Sequence, residues 1–143
     1  MYPTHPNTTN YTQVWDGYIP YFAANVDKPF SNQTIDPFFT NLLSRIRKDK
    51  FFSAPYMWLA CSDPSTPEDC ATTWAKESNK WNCDYVWSRV RNDTDLGTDG
   101  YALGAVPIVE LQISKAALRL GTWLNKLVVG DEYEFDDKEN IEL

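Results

Sequence analysis

Apolar residues recur at steps of three and four along several stretches of the chain, and each stretch is bounded by residues that start or stop helices. The longest runs from Pro107 to Gly130. Val109, Ile113, Ala116 or Ala117, Leu120, Leu124 and Leu127 share one helical face there, while Glu110, Lys115, Arg119 and Lys126 fall elsewhere. Pro107 suits the opening position, where its missing N–H costs nothing, and Gly130 suits a left-handed stop. A second helix is predicted from Pro67, with Thr66 as cap and Glu68 and Asp69 in its electropositive first turn. Ala71, Trp74, Ser78, Trp81 and Tyr85 form its stripe, which reads as core, against Lys76, Asn79, Lys80, Asn82 and Asp84 on the other faces. Another helix is predicted with Asp36 as cap and Pro37 as its first residue. It runs to about Lys50 and places Phe38, Leu42 or Leu43 and Ile46 on one side. Val14 to Asn25 predicts a short helix interrupted at Pro20.

Between these stretches the chain is polar. The first fourteen residues are rich in Pro and Asn and have no period, and Arg91 to Gly100 reads as a loop. Asp27 to Asn32 reads as a turn, and the only strand-like signal is the short aromatic run from Tyr56 to Ala60. The class is therefore all-α. Residues 1–11 are read as a disordered or non-native start, 12–130 as the helical part, and 131–143 as an acidic disordered tail.

Charge sharpens that last boundary. Seven acidic residues stand against Lys138 from Asp131 onward, so the tail holds six of the seven net negative charges and the body is nearly neutral. The basic cluster Arg45, Arg47, Lys48 and Lys50 reads as the C-terminal turn of a helix, where cations complement the macrodipole, and not as a phosphate-binding stripe. No apolar run approaches the roughly twenty residues that span a bilayer, so no membrane association is expected. The start lacks the charged and apolar regions of a signal peptide. Four glycosylation sequons, at Asn7, Asn10, Asn32 and Asn92, nonetheless favour an extracellular, secreted protein. Cys61 and Cys70 flank a turn segment and can close a short loop as a disulfide, which leaves Cys83 without a partner.

The chemistry-bearing groups are sparse. One histidine, His5, cannot supply the imidazoles of an ordinary zinc site. There is no phosphate-binding glycine loop, no nucleophile elbow and no pair of carboxylates at a telling spacing, so no catalytic residue is assigned. The six tryptophans must be buried or bind something.

Three segments carry a resemblance. Val14-Trp15-Asp16, followed by Tyr18-Ile19-Pro20, is the first. Trp74-Ala75-Lys76-Glu77-Ser78-Asn79 before Cys83 is the second. The third runs from Pro107 through Ile108-Val109-Glu110-Leu111-Gln112 to Trp123-Leu124-Asn125. In order and spacing they resemble the C-terminal half of the secreted fungal zinc nucleases of the S-one/P-one type, over residues 12 to 129. The resemblance implies an all-α zinc nuclease fold, shared with zinc phospholipase C and here incomplete. It implies an extracellular enzyme whose zinc ions activate water and neutralise phosphate charge, so that it hydrolyses phosphodiester bonds of single-stranded DNA and RNA and acts as a 3′-nucleotidase.

Carried across, the resemblance puts Asp16 at the family's zinc-aspartate position, with a helix cap or surface carboxylate as the alternative. Thr12 stands where the family has a histidine ligand, and threonine is not a usual zinc ligand. The remaining ligands belong to an N-terminal half that this chain does not contain, as does the partner of Cys83, the cysteine that ends the family's helix. The implied reading is a fragment that needs its missing half and is inactive alone. Glu77 and Asn79 fit either structural hydrogen-bonding groups or cleft residues, and the structural reading is favoured. Two other readings are a secreted non-catalytic helical binding module built on the same scaffold and a zinc phospholipase C, against which Trp74 to Asn79 favours the nuclease.

Overall fold

The computed structural model describes residues 14–24, 36–91, 95–97, 100–130 and 132–134, and among these there is no strand. The all-α expectation holds. The helices are α1 (Ile19–Ala23), α2 (Asp36–Arg47), α3 (Pro67–Trp81), α4 (Trp87–Arg89) and α5 (Tyr101–Val129). π-helical turns lead into α1 (Val14–Tyr18) and join α3 to α4 (Asn82–Val86), and Pro55–Leu59 forms a 3₁₀ turn where the sequence hinted at a strand. Pro at the head of that turn supplies the compatible φ. His5, Thr12, the Asp27 to Asn32 turn, the sequons and most of the acidic tail lie outside the described residues.

The chain forms two compact units, Met1–Asn41 with Trp81–Leu111, and Leu42–Lys80 with Gln112–Leu143. In the first, Val14 and Ile19 are fully buried at the ends of the first π turn. Pro20 falls in the opening turn of α1, where no intrahelical donor is lost. Tyr85, Val86, Leu96, Tyr101, Ala102, Ala105, Ile108 and Val109 complete this unit's core.

In the second unit Leu42, Ile46, Trp58 and Cys70 are buried, together with the polar Ser62, Ser114, Arg119 and Thr122. α2 stops at Arg47, short of the expected Lys50. Asp49 takes a left-handed φ of 50°, its N–H donates to Ile46, and the N–H of Lys50 donates to Arg45 at 2.9 Å. This pattern of a 6→1 and a 5→2 bond is the Schellman stop, with aspartate in the position glycine usually fills. The Cys61–Cys70 disulfide is formed, with Cα atoms 5.2 Å apart, and it pins the loop before α3 to that helix's first turn.

Several expectations need correction. Pro107 does not open the last helix, which begins at Tyr101 with the apolar run Tyr-Ala-Leu-Gly-Ala-Val, so Pro107 lies inside it. The stripe on that helix is also rotated. Leu120, Leu124 and Leu127 are 59%, 52% and 63% exposed, whereas Arg119, expected on the outer face, is 7% exposed. Its charge is buried because it is paired. On α3 the expected core stripe is only partly buried: Trp74 and Trp81 are half-buried, Ala71 and Ser78 are exposed, and Cys70 is the fully buried residue. Nor does the helix end at Cys83, since the π turn carries it on to Arg89.

Candidate functional site

Asp16 lies in the first π turn and its side chain is exposed. Its neighbour Trp15 is what the fold holds. The Trp15 indole N–H donates to the Tyr101 hydroxyl at 2.9 Å, and the indole meets Tyr85 and Tyr101 edge-on with ring centroids 6.2 Å away in each case. The Tyr85 hydroxyl in turn donates to the Tyr101 carbonyl. Burial pushes the Tyr85 phenol above its ordinary range, with the Arg89 guanidinium 4.2 Å over its ring acting in the opposite direction. Gly104 makes this packing possible: a Cβ there would collide with the Tyr85 hydroxyl. The aromatic trio fixes the turn that carries Asp16, and the carboxylate faces water.

That arrangement does not fit a zinc centre. Among the described residues no three His, Cys, Asp or Glu side chains gather to hold a metal. Asp16 supplies one exposed carboxylate.

The second unit carries the densest polar chemistry. Glu77 on α3 accepts from Lys115 Nζ at 2.8 Å and from Arg119 Nη2 at 2.6 Å, both on α5. Arg119 Nε donates to the Trp58 carbonyl at 3.0 Å, and its guanidinium lies 5.3 Å from the Trp74 ring centre. Burial alone would push the Glu77 carboxyl up. Hydrogen bonds from Lys115 and Arg119, and their positive charges, outweigh it and hold the group below the usual carboxylate range. The cluster ties α3 to α5 within this unit.

Beside it is a cavity of about 440 Å³ lined by Trp74, Ser78, Gln112, Ala116, Arg119, Leu120 and Trp123. The two tryptophans meet edge to face at 5.4 Å. Ser78 Oγ donates to the Gln112 carbonyl oxygen at 3.4 Å, while Gln112 Nε2 and Trp74 Nε1 are buried without a hydrogen-bond partner. Sequence reasoning missed this cavity. The signal was present as a ladder of Gln112, Ala116, Leu120 and Trp123 at steps of three and four, two of whose members, Ala116 and Leu120, the periodicity had already assigned to the core face.

Cys61 and Cys70 pair, and Cys83 is an exposed free thiol. Asn7, Asn10, Asn32 and Asn92 lie outside the described residues.

The described residues thus form a helical scaffold with an aspartate on an aromatic-braced turn and no metal cluster among them. The family model for S1/P1 nuclease matches residues 3–129, and the chain belongs to that family. It is 29% identical over 119 residues to Endonuclease 4 of Arabidopsis thaliana, covering 83% of this chain and 38% of that protein. It is 29% identical over 121 residues to Nuclease S1 of Aspergillus oryzae, covering 82% and 41%. The chain thus spans about two fifths of the length of the curated relatives it matches. No solved structure matches it significantly.

Proposed function

We propose that this chain serves as part of a secreted, zinc-dependent nuclease that hydrolyses phosphodiester bonds of single-stranded DNA and RNA, with 3′-nucleotidase activity, and that the 143 residues alone do not catalyse the reaction. The observation that carries the first half is the family match over residues 3–129. The donor inventory supports the second. With one histidine in the sequence and no gathered set of three donors among the described residues, the chain offers at most isolated ligands. In this reading Asp16 contributes one carboxylate to a metal site completed by residues from the rest of a family-length protein. The chain's main contribution is the helical frame: the Trp15–Tyr85–Tyr101 packing that orients the turn, and the Glu77 cluster that joins two helices.

The experiment is zinc stoichiometry by elemental mass spectrometry on the oxidised chain after dialysis against trace zinc, with single-stranded DNA hydrolysis measured on the same sample. Near-zero zinc and no hydrolysis are expected. Two or three tightly held zinc ions, or turnover, would sink the proposal. The secreted reading predicts glycans at one or more of Asn7, Asn10, Asn32 and Asn92, read as a mass decrease on enzymatic deglycosylation of the protein from its native host.

A further inference from the structure

The segment that follows α2 in the second unit anchors its backbone and turns its charges and one ring outward. Over residues 45–52 four cations, Arg45, Arg47, Lys48 and Lys50, stand against the single carboxylate of Asp49. Only Arg45 and Arg47 fall in the last turn of α2. Lys48 and Lys50 lie beyond it, so the helix macrodipole, which acts within that turn, does not account for them. Arg45 is drawn inward. Its guanidinium lies 4.4 Å over the Phe51 ring, which meets the buried Trp58 edge-on at 5.3 Å. The Trp58 indole N–H donates to Ser53 Oγ at 2.7 Å, and the Lys50 N–H donates to the Arg45 carbonyl. These contacts fix the chain on both sides of Phe52. That ring is itself 104% exposed, and beside it in the chain Arg47, Lys48 and Lys50 are exposed with no acidic partner among the described residues.

We propose that Arg47, Lys48, Lys50 and Phe52 form a contact site for single-stranded nucleic acid, one that shares no residue with the Asp16 turn. The inference rests on the reading of the chain as part of a nuclease, and adds a place where the strand is held. A ring left fully in water stabilises nothing in the fold, whereas among exposed cations it matches what an unpaired strand offers: phosphates for the charges and a base face for the ring. Lys50 and Phe52 are two residues apart, so their Cα atoms lie within about 7 Å of each other. A base stacked on the ring therefore leaves a neighbouring phosphate within reach of the lysine. Phe52 stands on a bend, not on an amphipathic helix, so the surface-lying helix that holds proteins to anionic membranes is not formed here.

The test titrates the 143-residue chain, in EDTA, into a fluorescein-labelled oligothymidylate and into an abasic strand of equal length and charge, with anisotropy as the readout. Co-sedimentation with phosphatidylserine–phosphatidylcholine vesicles forms a third arm, and circular dichroism checks that each variant is folded. The oligothymidylate is expected to bind at least about fivefold more tightly than the abasic strand. Phe52→Ala should remove that difference and Phe52→Trp should keep it. Arg47→Gln and Lys48→Gln should weaken both strands and each reduce the slope of log K against log salt by about 0.7. Equal binding of the two strands, or a Phe52→Ala variant that binds like the parent, overturns the proposal. So does binding to the vesicles with none to either strand, which would give the face to a membrane. Because EDTA removes zinc and turnover from the readout, two or three zinc ions held by the chain would count against the proposed function alone, whereas a zinc-free chain whose binding ignores Phe52 would count against this site alone.

Discussion

Arg119 shows how one side chain can invert an expectation drawn from periodicity. Arginine cannot lose its charge in a protein, so an inward position requires charge-assisted partners on several sides. Glu77 and the Trp58 carbonyl supply them, with the Trp74 ring beneath the guanidinium. Removing the arginine leaves Glu77 with Lys115 only and a carbonyl without its donor. Arg119→Ala is therefore expected to cost about 2–3 kcal/mol, at the low end for a buried pair because Glu77 is partly exposed. Lys115→Ala, which leaves the stronger arrangement intact, is expected to cost less than half as much; urea unfolding midpoints check both. Gly104 makes the opposite kind of demand, for absence of volume. A methyl group there meets the Tyr85 hydroxyl, so Gly104→Ala should lose about 1–3 kcal/mol despite alanine's better helix propensity, read as a lower melting temperature.

Pairs of elements are joined by chemistry whose strength depends on conditions. The Glu77 carboxyl is held below its ordinary value near 4.5, so its contribution is fully present above that value and fades as pH falls through the lower folded-state value. Acid unfolding followed by circular dichroism should thus show a stability loss beginning below about pH 4.5, and Glu77→Gln should flatten that part of the profile. The Cys61–Cys70 bridge closes a loop of nine residues' separation, and Cys61→Ser is expected to cost about 2–3 kcal/mol by loop entropy, measurable in denaturant. At this scale the sequence was legible wherever a local signal decides. Thr66-Pro67 started α3, Gly130 with φ 96° stopped α5, and the turn between Cys61 and Cys70 announced their pairing. It misled where neighbours decide. Leu120, Leu124 and Leu127 have the period of a buried face whether or not anything lies against them, and Pro107 looks like a start because its tolerance inside α5 depends on the apolar turn before it. The cavity was hidden for the same reason, since Trp74 and Trp123 lie far apart in sequence and meet only in the folded chain.

The whole molecule belongs to a nuclease family, whose S1/P1 match spans most of the chain, yet it has no metal cluster among its described residues. If the proposed division of labour holds, this chain's stability owes nothing to zinc. A chelator should then leave its melting temperature unchanged within error, whereas a protein folded around structural zinc would lose stability steeply. The acidic C-terminal stretch gives the body little net charge of its own, which leaves the apolar and aromatic surfaces, not a global field, to choose what the helices meet.

Pro107 carries a consequence for the motions of α5. Without an N–H it cannot donate to the carbonyl of Leu103 four residues back, and Leu103, Gly104 and Pro107 are all exposed, so the gap in the ladder opens toward solvent. A helix of 29 residues interrupted in this way need not open as one piece. Amide deuteration should record two protection plateaus along it, with faster exchange in the turn before the proline and slower exchange where Ser114 to Thr122 lies against its own unit.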